Sequence, residues 1–365
     1  MKEKIGKYAL LTLVWAIVIG YAVCSIVLLR AHRAELVVDR VEIEVSDSTA
    51  NGHLVSSRMV REWILHSGIS TIGTPADEVN LSGIEQVIVK NGFVDRVDSY
   101  ISYDGVLHIE VRQRRPMLRL MIDGYDTYVT ETGFVFRSPA ASALYVPVVT
   151  GGYRPPFAAS YEGDVRKHID RLIAESNERI AKIEREKIPL YKLEDTLRAK
   201  IKEERRRRIK QGIFESDEIF EERVLNLRAE KHRNLRRLRG ALRHTARRVE
   251  AVTARCDAEY RGQKKLEKRY EDFLKLINFV SWIEEHPFWG AEIVQIVAET
   301  TPGGALEVEL VPRSGRHTIL FGRIESVEEK LDKLLRFYKE GLGNRGWDTY
   351  SIINIKYDGQ VVCSK

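Results

Sequence analysis

Cysteine is nearly absent: three residues in 365 cannot build a disulfide framework. Cys24 sits in an apolar run, Cys256 in a charged helical stretch and Cys363 two positions before Lys365. A Cys256–Cys363 bridge is conceivable in an oxidising compartment, and two unrelated thiols are the simpler reading. The chain lacks C-x-x-C and H-E-x-x-H, and none of its nine histidines lies four residues from another, so a cysteine or histidine metal centre has no support. It also lacks a nucleophile elbow, and carboxylate pairs such as Glu284–Glu285 fall at a helix end, where solvation accounts for them. One glycine motif is present, Gly341, Gly343 and Gly346 in "GLGNRG". It follows a helical pattern and precedes a strand, whereas pyrophosphate binding needs the loop after a strand and at a helix N-terminus. No catalytic residue, cofactor or small-molecule substrate is therefore expected.

Glycine and proline are also scarce between Asp164 and Tyr270, where charge dominates; in "RAKIKEERRRRIK", 198–210, ten of thirteen residues are charged. Leu190, Leu193, Leu197 and Ile201, then Leu235, Leu238 and Leu242, keep near-heptad spacing. The pattern predicts two long antiparallel helices reversing at "QGIFES", 211–216, with Pro189 kinking the first. "DFLKLINFVSWI", 272–283, is either the end of the second arm or a separate core helix. Arg205–Arg208 could mark a nucleic-acid patch, but the interleaved Glu203, Glu204 and Glu215 favour a solvated face, with anionic envelope polymers or lipid as the other reading.

Charge is missing altogether from Ala9 to Leu29, "ALLTLVWAIVIGYAVCSIVLL". At about 1.5 Å per residue this run is about 30 Å long, enough to cross a bilayer. A cleavable signal would want a shorter apolar core and a small-x-small site. A lipoprotein signal on Cys24 is disfavoured by Tyr21 and Val23. An uncleaved transmembrane helix is expected. Lys2, Lys4 and Lys7 before it and Arg30, Arg33 and Arg40 after it leave orientation undecided by charge.

Beyond the apolar run, polar and apolar residues alternate. "VVDRVEIEV", 37–45, reads as a strand; helices are predicted from Ser56 to Ser67, ended by Gly68, and from Leu81 to Lys90; 93–116 reads as two strands joined at Asp104–Gly105. Beyond Pro116, "LRLMIDGYDTYVTETGFVF" and "LYVPVVTGG" begin a β-domain. After the helical insertion, 291–322 holds three more strands. Ser326 and Glu329 form a capping box for a helix through Tyr338, with Val327, Leu331, Leu334, Leu335 and Tyr338 on its buried side. Last comes "SIINIKYDGQVVCSK", in which Ile353, Ile355 and Tyr357 alternate with polar neighbours as in a strand with one buried face.

The fold expected is α+β. Residues 1–8 form a tail, 9–29 the transmembrane helix and 37–115 a β-α-α-β-β module. Residues 116–163 and 271–365 make an antiparallel β-domain with a C-terminal helix and strand, interrupted by the helical hairpin at 164–270.

In order and spacing, "VDRVEIEV", "NGFVDRVDSYISYDGVLHIEVRQRRP", "YVTETGFVF", "VPVVTG", "EEKLDKLLRFY" and "INIKYDGQVV" resemble the FtsQ/DivIB family of bacterial division proteins, and 37–115 resembles a POTRA domain. The resemblance implies a non-enzymatic inner-membrane protein with its N-terminus in the cytoplasm and its bulk in the periplasm. It implies a divisome scaffold at the septum that links early and late division proteins by binding FtsB/FtsL-like partners. The partner surface it implies is Lys356, Tyr357, Asp358, Gly359, Gln360 and Val361, backed by Leu331, Leu335 and Tyr338. Lys356 stands where the family usually has arginine, and the helical insertion is foreign to its β-domain. A POTRA-bearing envelope chaperone or transport component is the alternative, although such proteins usually repeat the unit or carry a membrane barrel. An envelope sensor would need a cytoplasmic output domain. An open sheet edge agrees with strand addition by a partner; a last strand paired on both sides would not need one. Tyr357 shares the parity of the buried residues, so it could anchor the strand or reach the partner.

Overall fold

A computed structural model describes residues 15–25, 36–46, 54–137, 144–342, 346 and 349–365. Residues 15–25 form a helix (α1) with exposed side chains. The rest of the expected span, the tail at 1–8 and Gly343 of the glycine motif lie outside the described residues. Among the described residues no helix is long and apolar enough to cross a membrane. The chain divides into two compact units, one of residues 1–154, 158–164 and 275–365, the other of residues 155–157 and 165–274.

In the first unit, β1 (Arg40–Ser46), α2 (Ser57–Ser67), α3 (Leu81–Val89), β2 (Val94–Ile101) and β3 (Val106–Gln113) form a three-stranded sheet, ordered β1-β3-β2, with its helices. β1 runs parallel to β3 and β2 antiparallel to it. Local signals place the ends: Ser56 Oγ accepts from the Met59 N–H, Gly68 closes α2 at φ 73°, and Asn80 Oδ1 accepts from the Gly83 N–H. Gly105 turns the β2–β3 hairpin at φ 77°, a left-handed conformation that only glycine adopts cheaply. Val60, Ile64, Ile84 and Ile88 from the helices meet Leu107, Ile109 and Val111 in one core. The same core takes in Tyr128, Phe136 and Leu144, and Phe93 meets Phe136 edge-on at 6.0 Å, so this module and the next sheet are packed together.

That second sheet has ten strands: β4 (Pro116–Ile122), β5 (Tyr125–Thr130), β6 (Phe134–Arg137), β7 (Val148–Thr150), β8 (Gly163–Asp164), β9 (Ile293–Thr300), β10 (Leu306–Pro312), β11 (Thr318–Arg323), β12 (Ile352–Asn354) and β13 (Val362–Ser364). Their order is β13-β12-β11-β10-β9-β7-β4-β5-β6-β8. The sheet is mixed rather than antiparallel, because β4–β7, β7–β9 and β11–β12 are parallel pairs. The last of these follows from the chain: β11, helix α7 (Val327–Phe337) and β12 make a crossover, and a strand returning over a helix lies parallel to its predecessor. Ser326, at φ 48°, makes no side-chain cap bond, since a capping hydroxyl needs an extended backbone; the expected capping box is absent.

The second unit holds α4 (Val165–Arg206), unbroken through Pro189, and most of α5 (Asp217–Glu285). Ile169, Ser176, Ile180, Ile183, Leu190, Leu197 and Ile201 are buried along α4 at intervals of three, four and seven, a coiled-coil seam. Leu193, 43% exposed, lies off it, and Leu235, Leu238 and Leu242 are half-buried. Cross-links run antiparallel: Ser176 and Arg179 to Glu259, Glu186 to Arg255, Glu204 to Asn234, Arg207 to Glu230. Cys256 is buried, Cys363 half-buried, and both are free. Residues 272–283 are the end of α5 rather than a separate helix. Leu276, Ile277, Phe279, Val280 and Ile283 there are buried in the first unit, with Phe279 4.9 Å from the ring of Phe321 on β11.

Candidate partner-binding edge

The terminal segment is a hairpin, not a single strand. β12 stops at Asn354; β13 returns antiparallel beside it and forms the end of the sheet. Ile353 and Ile355 are fully buried, as their alternation requires. Past Ile355 the strand ends, because the Asn354 side-chain oxygen takes the Lys356 N–H and Gly359, at φ 69°, reverses the chain. Lys356, Tyr357, Asp358, Gly359 and Gln360 are exposed and Val361 half-buried. Tyr357 leaves the buried parity at this break and is 53% exposed. The open edge is thus Val362–Ser364, which period-2 alternation alone does not reveal. Asp358–Gly359 was the available signal, the same pair of residue types that turns β2 into β3. At the opposite end of the sheet β8 has two residues and runs straight into α4, so that edge is short.

Helix α7 holds the turn from behind, but not with the expected residues. Leu331 and Leu334 are fully buried, Leu335 is half-buried, and Tyr338 is 3% exposed. Tyr338 packs on Trp289 at 5.8 Å, with its hydroxyl 2.7 Å from His317 Nε2; burial pushes that hydroxyl far above the ordinary tyrosine range. Leu331 and Tyr338 are therefore core residues, because an amphipathic helix on a sheet turns its apolar stripe inward, and they lie behind the turn rather than line its exposed face. Two lysines on the same helix reach main-chain carbonyls instead. Lys330 Nζ donates to Arg323 O at 2.8 Å and lies over the Phe321 ring, and Lys333 Nζ donates to Ile355 O at 3.2 Å and to Tyr357 O. Burial lowers the pKa of both ammonium groups. Lys356 lays its aliphatic stem over Gly322, where an added Cβ would come within 2.8 Å of Lys356 Cγ, and pairs with Glu307 at 2.8 Å.

The result is a braced, exposed turn beside a short open strand. It offers main-chain N–H and C=O groups, a tyrosine ring, an amide and an apolar side chain, Val362, that is 46% exposed. Groups of this kind suit docking by strand addition. Among the described residues no group of three or more His, Cys, Asp or Glu could hold a metal ion.

A family model described as FtsQ/DivIB, C-terminal related, matches residues 243–364, which take in β9–β13, α7 and the braced turn. A model described as a POTRA-like domain matches residues 36–112, β1 through most of β3. No curated protein matches the chain.

Proposed function

The chain is an FtsQ/DivIB-family protein, and from that premise we propose that it acts as a divisome scaffold, capturing FtsB/FtsL-like partners at the β12–β13 turn and the β13 edge. The family is one of non-enzymatic division proteins, and no enzymatic role is proposed for this member. The observation that carries the reading is the braced turn: Lys356–Gln360 stand exposed on a rigid base at the open end of the sheet. A partner strand added to β13 would gain main-chain bonds there, while Tyr357 and Gln360 would set specificity. Through such partners the protein would link early and late division components.

The reading includes a single span at 9–29, N-terminus in the cytoplasm and bulk in the periplasm at the septum. Support comes from α1, where Trp15, Ile17, Ile19, Tyr21 and Val23 are all exposed apolar groups that water would not favour. The POTRA-like module, 36–112, is proposed to bring the protein to the division site.

The test is co-purification from crosslinked membranes, comparing the native chain with Tyr357→Ala, Gln360→Ala and Val362→Ala combined. All three side chains are exposed, so the fold survives. Loss of FtsB/FtsL-like partners is expected; undiminished capture would sink the proposal.

A further inference from the structure

The helical hairpin ends in a loop that displays what soluble proteins usually hide. Ile213 is 94% and Phe214 102% exposed, at the apex between α4 and α5. They are presented by a built loop. The Gly212 N–H donates to Glu215 Oε2 at 2.8 Å, Arg223 donates to Glu215 Oε1 at 2.6 Å, and the Gln211 amide donates to Glu215 O and to Asp217 Oδ1. The Gly212 amide and the Arg223 guanidinium hold the Glu215 carboxyl below its ordinary range, so this acid stays ionised and engaged inside the loop.

Behind the apex the hairpin is strongly basic. Residues 198–248 hold 18 Lys and Arg against 8 Asp and Glu, a net of +10, while the whole chain carries only +6. Arg205, Arg206, Arg208 and Lys210 are exposed, and among the described residues none of them has an ion-pair partner. Asp217, Glu218, Glu221 and Glu222 oppose them in part, yet they lie in the first turns of α5, where the helix dipole favours negative charge. Between the arms a groove of about 840 Å³ has Lys200, Arg206, Arg207 and Arg237 on its walls and Leu197 and Leu238 among its lining, with Glu204 engaged by Arg207 and Asn234.

We infer that the hairpin tip is a membrane-docking device: Ile213 and Phe214 enter the interface of an anionic phospholipid bilayer while the basic arms contact its headgroups. A nucleic acid would be met by the charge and could stack a base on Phe214, but it offers no apolar medium for Ile213 and Phe214 together, which a bilayer interface does. Apolar insertion and cationic attraction together are the pairing that holds proteins at anionic interfaces.

The test uses the full chain, native cysteines replaced by alanine, with an environment-sensitive dye on Ser216→Cys. It is reconstituted into vesicles of phosphatidylcholine alone or mixed with phosphatidylglycerol, both with brominated acyl chains. This comparison rests on the proposed span at 9–29, which would seat the protein in either vesicle, so that a difference between them reports the tip. In the anionic vesicles the dye emission should shift to the blue and be quenched. Both effects should vanish in Ile213→Ser/Phe214→Ser, whose near-complete exposure spares the fold, and weaken as salt rises. Equal emission in both vesicles, quenching that survives the double substitution, a shift produced by protein concentration alone, or one produced by added duplex DNA but not by lipid would each overturn the inference. Partner capture at the β12–β13 turn is read separately, so either result can stand while the other falls.

Discussion

The ammonium of Lys333, on α7, lies 3.2 Å from the carbonyl oxygen of Ile355, the last buried residue before the terminal turn, and bonds the Tyr357 carbonyl as well. One side chain thus ties the helix to both flanks of Lys356. The exposed turn is consequently a continuation of a packed helix-on-sheet layer rather than a loose end, which lowers the ordering cost for anything that docks on it.

Lys333→Met keeps the stem and removes both donors. Hydrogen bonds to charged groups contribute about 1.5–3 kcal/mol each when well buried, and partial exposure here reduces that to a total of about 1–3 kcal/mol. Urea unfolding should show the loss, and amide exchange at 356–361 should accelerate. Unchanged exchange would mean that Asn354 and β13 hold the turn alone.

The core placement of Leu331 and Tyr338 sets a contrast with Tyr357. Leu331→Ala should cost about 2–5 kcal/mol by leaving a cavity, Tyr338→Phe about 1 kcal/mol by removing the bond at His317, and Tyr357→Ala within about 0.5 kcal/mol of nothing. Thermal unfolding ranks the three. Were Tyr357→Ala as damaging as Leu331→Ala, the turn would be part of the core.

Phe136 joins two sheets, through Phe93 on one side and Tyr128 at 5.7 Å on the other. Phe136→Ala should cost about 3–5 kcal/mol. Limited proteolysis near residues 114–116 should then become faster; an unaltered digestion pattern would show that the POTRA-like module and the sheet are held by other contacts.

Glu259 predicts an acid sensitivity of the hairpin. Arg179 and the Ser176 hydroxyl hold its carboxyl below the ordinary range. Because the folded value is the lower one, the stabilisation is present above the ordinary carboxylate value of about 4 and is lost as pH falls through the folded value. Helical ellipticity followed against temperature should therefore fall off below about pH 4, and Glu259→Gln should flatten that dependence.

Much of the fold was legible because its signals are local. Alternation with Asp104–Gly105 between two strands, Ser56 and Gly68 around α2, and the heptads of α4 each operate within a few residues, so order and element type could be read directly. The candidate site was legible only in part. Alternation turns Lys356 and Asp358 outward, but it carries the strand through Tyr357 and leaves the side of that residue open, since period-2 alternation cannot register that the Asn354 side chain takes the Lys356 N–H and ends the ladder. The resemblance sets Leu331 and Tyr338 behind the partner surface, and only the packing of α7 shows that both lie in the core.

The α+β class, the POTRA-like element order and the helical insertion are all properties of residue types at short spacing, and the chain alone specifies them. Only the folded arrangement shows that β12 runs parallel to β11, that β13 is the open end strand of the sheet and that Lys333 braces the turn. These depend on which distant segments meet: Ile353 pairs with Ile319 on one side and Cys363 on the other, and pairing between segments separated by a helix or a turn leaves no period in the chain to read.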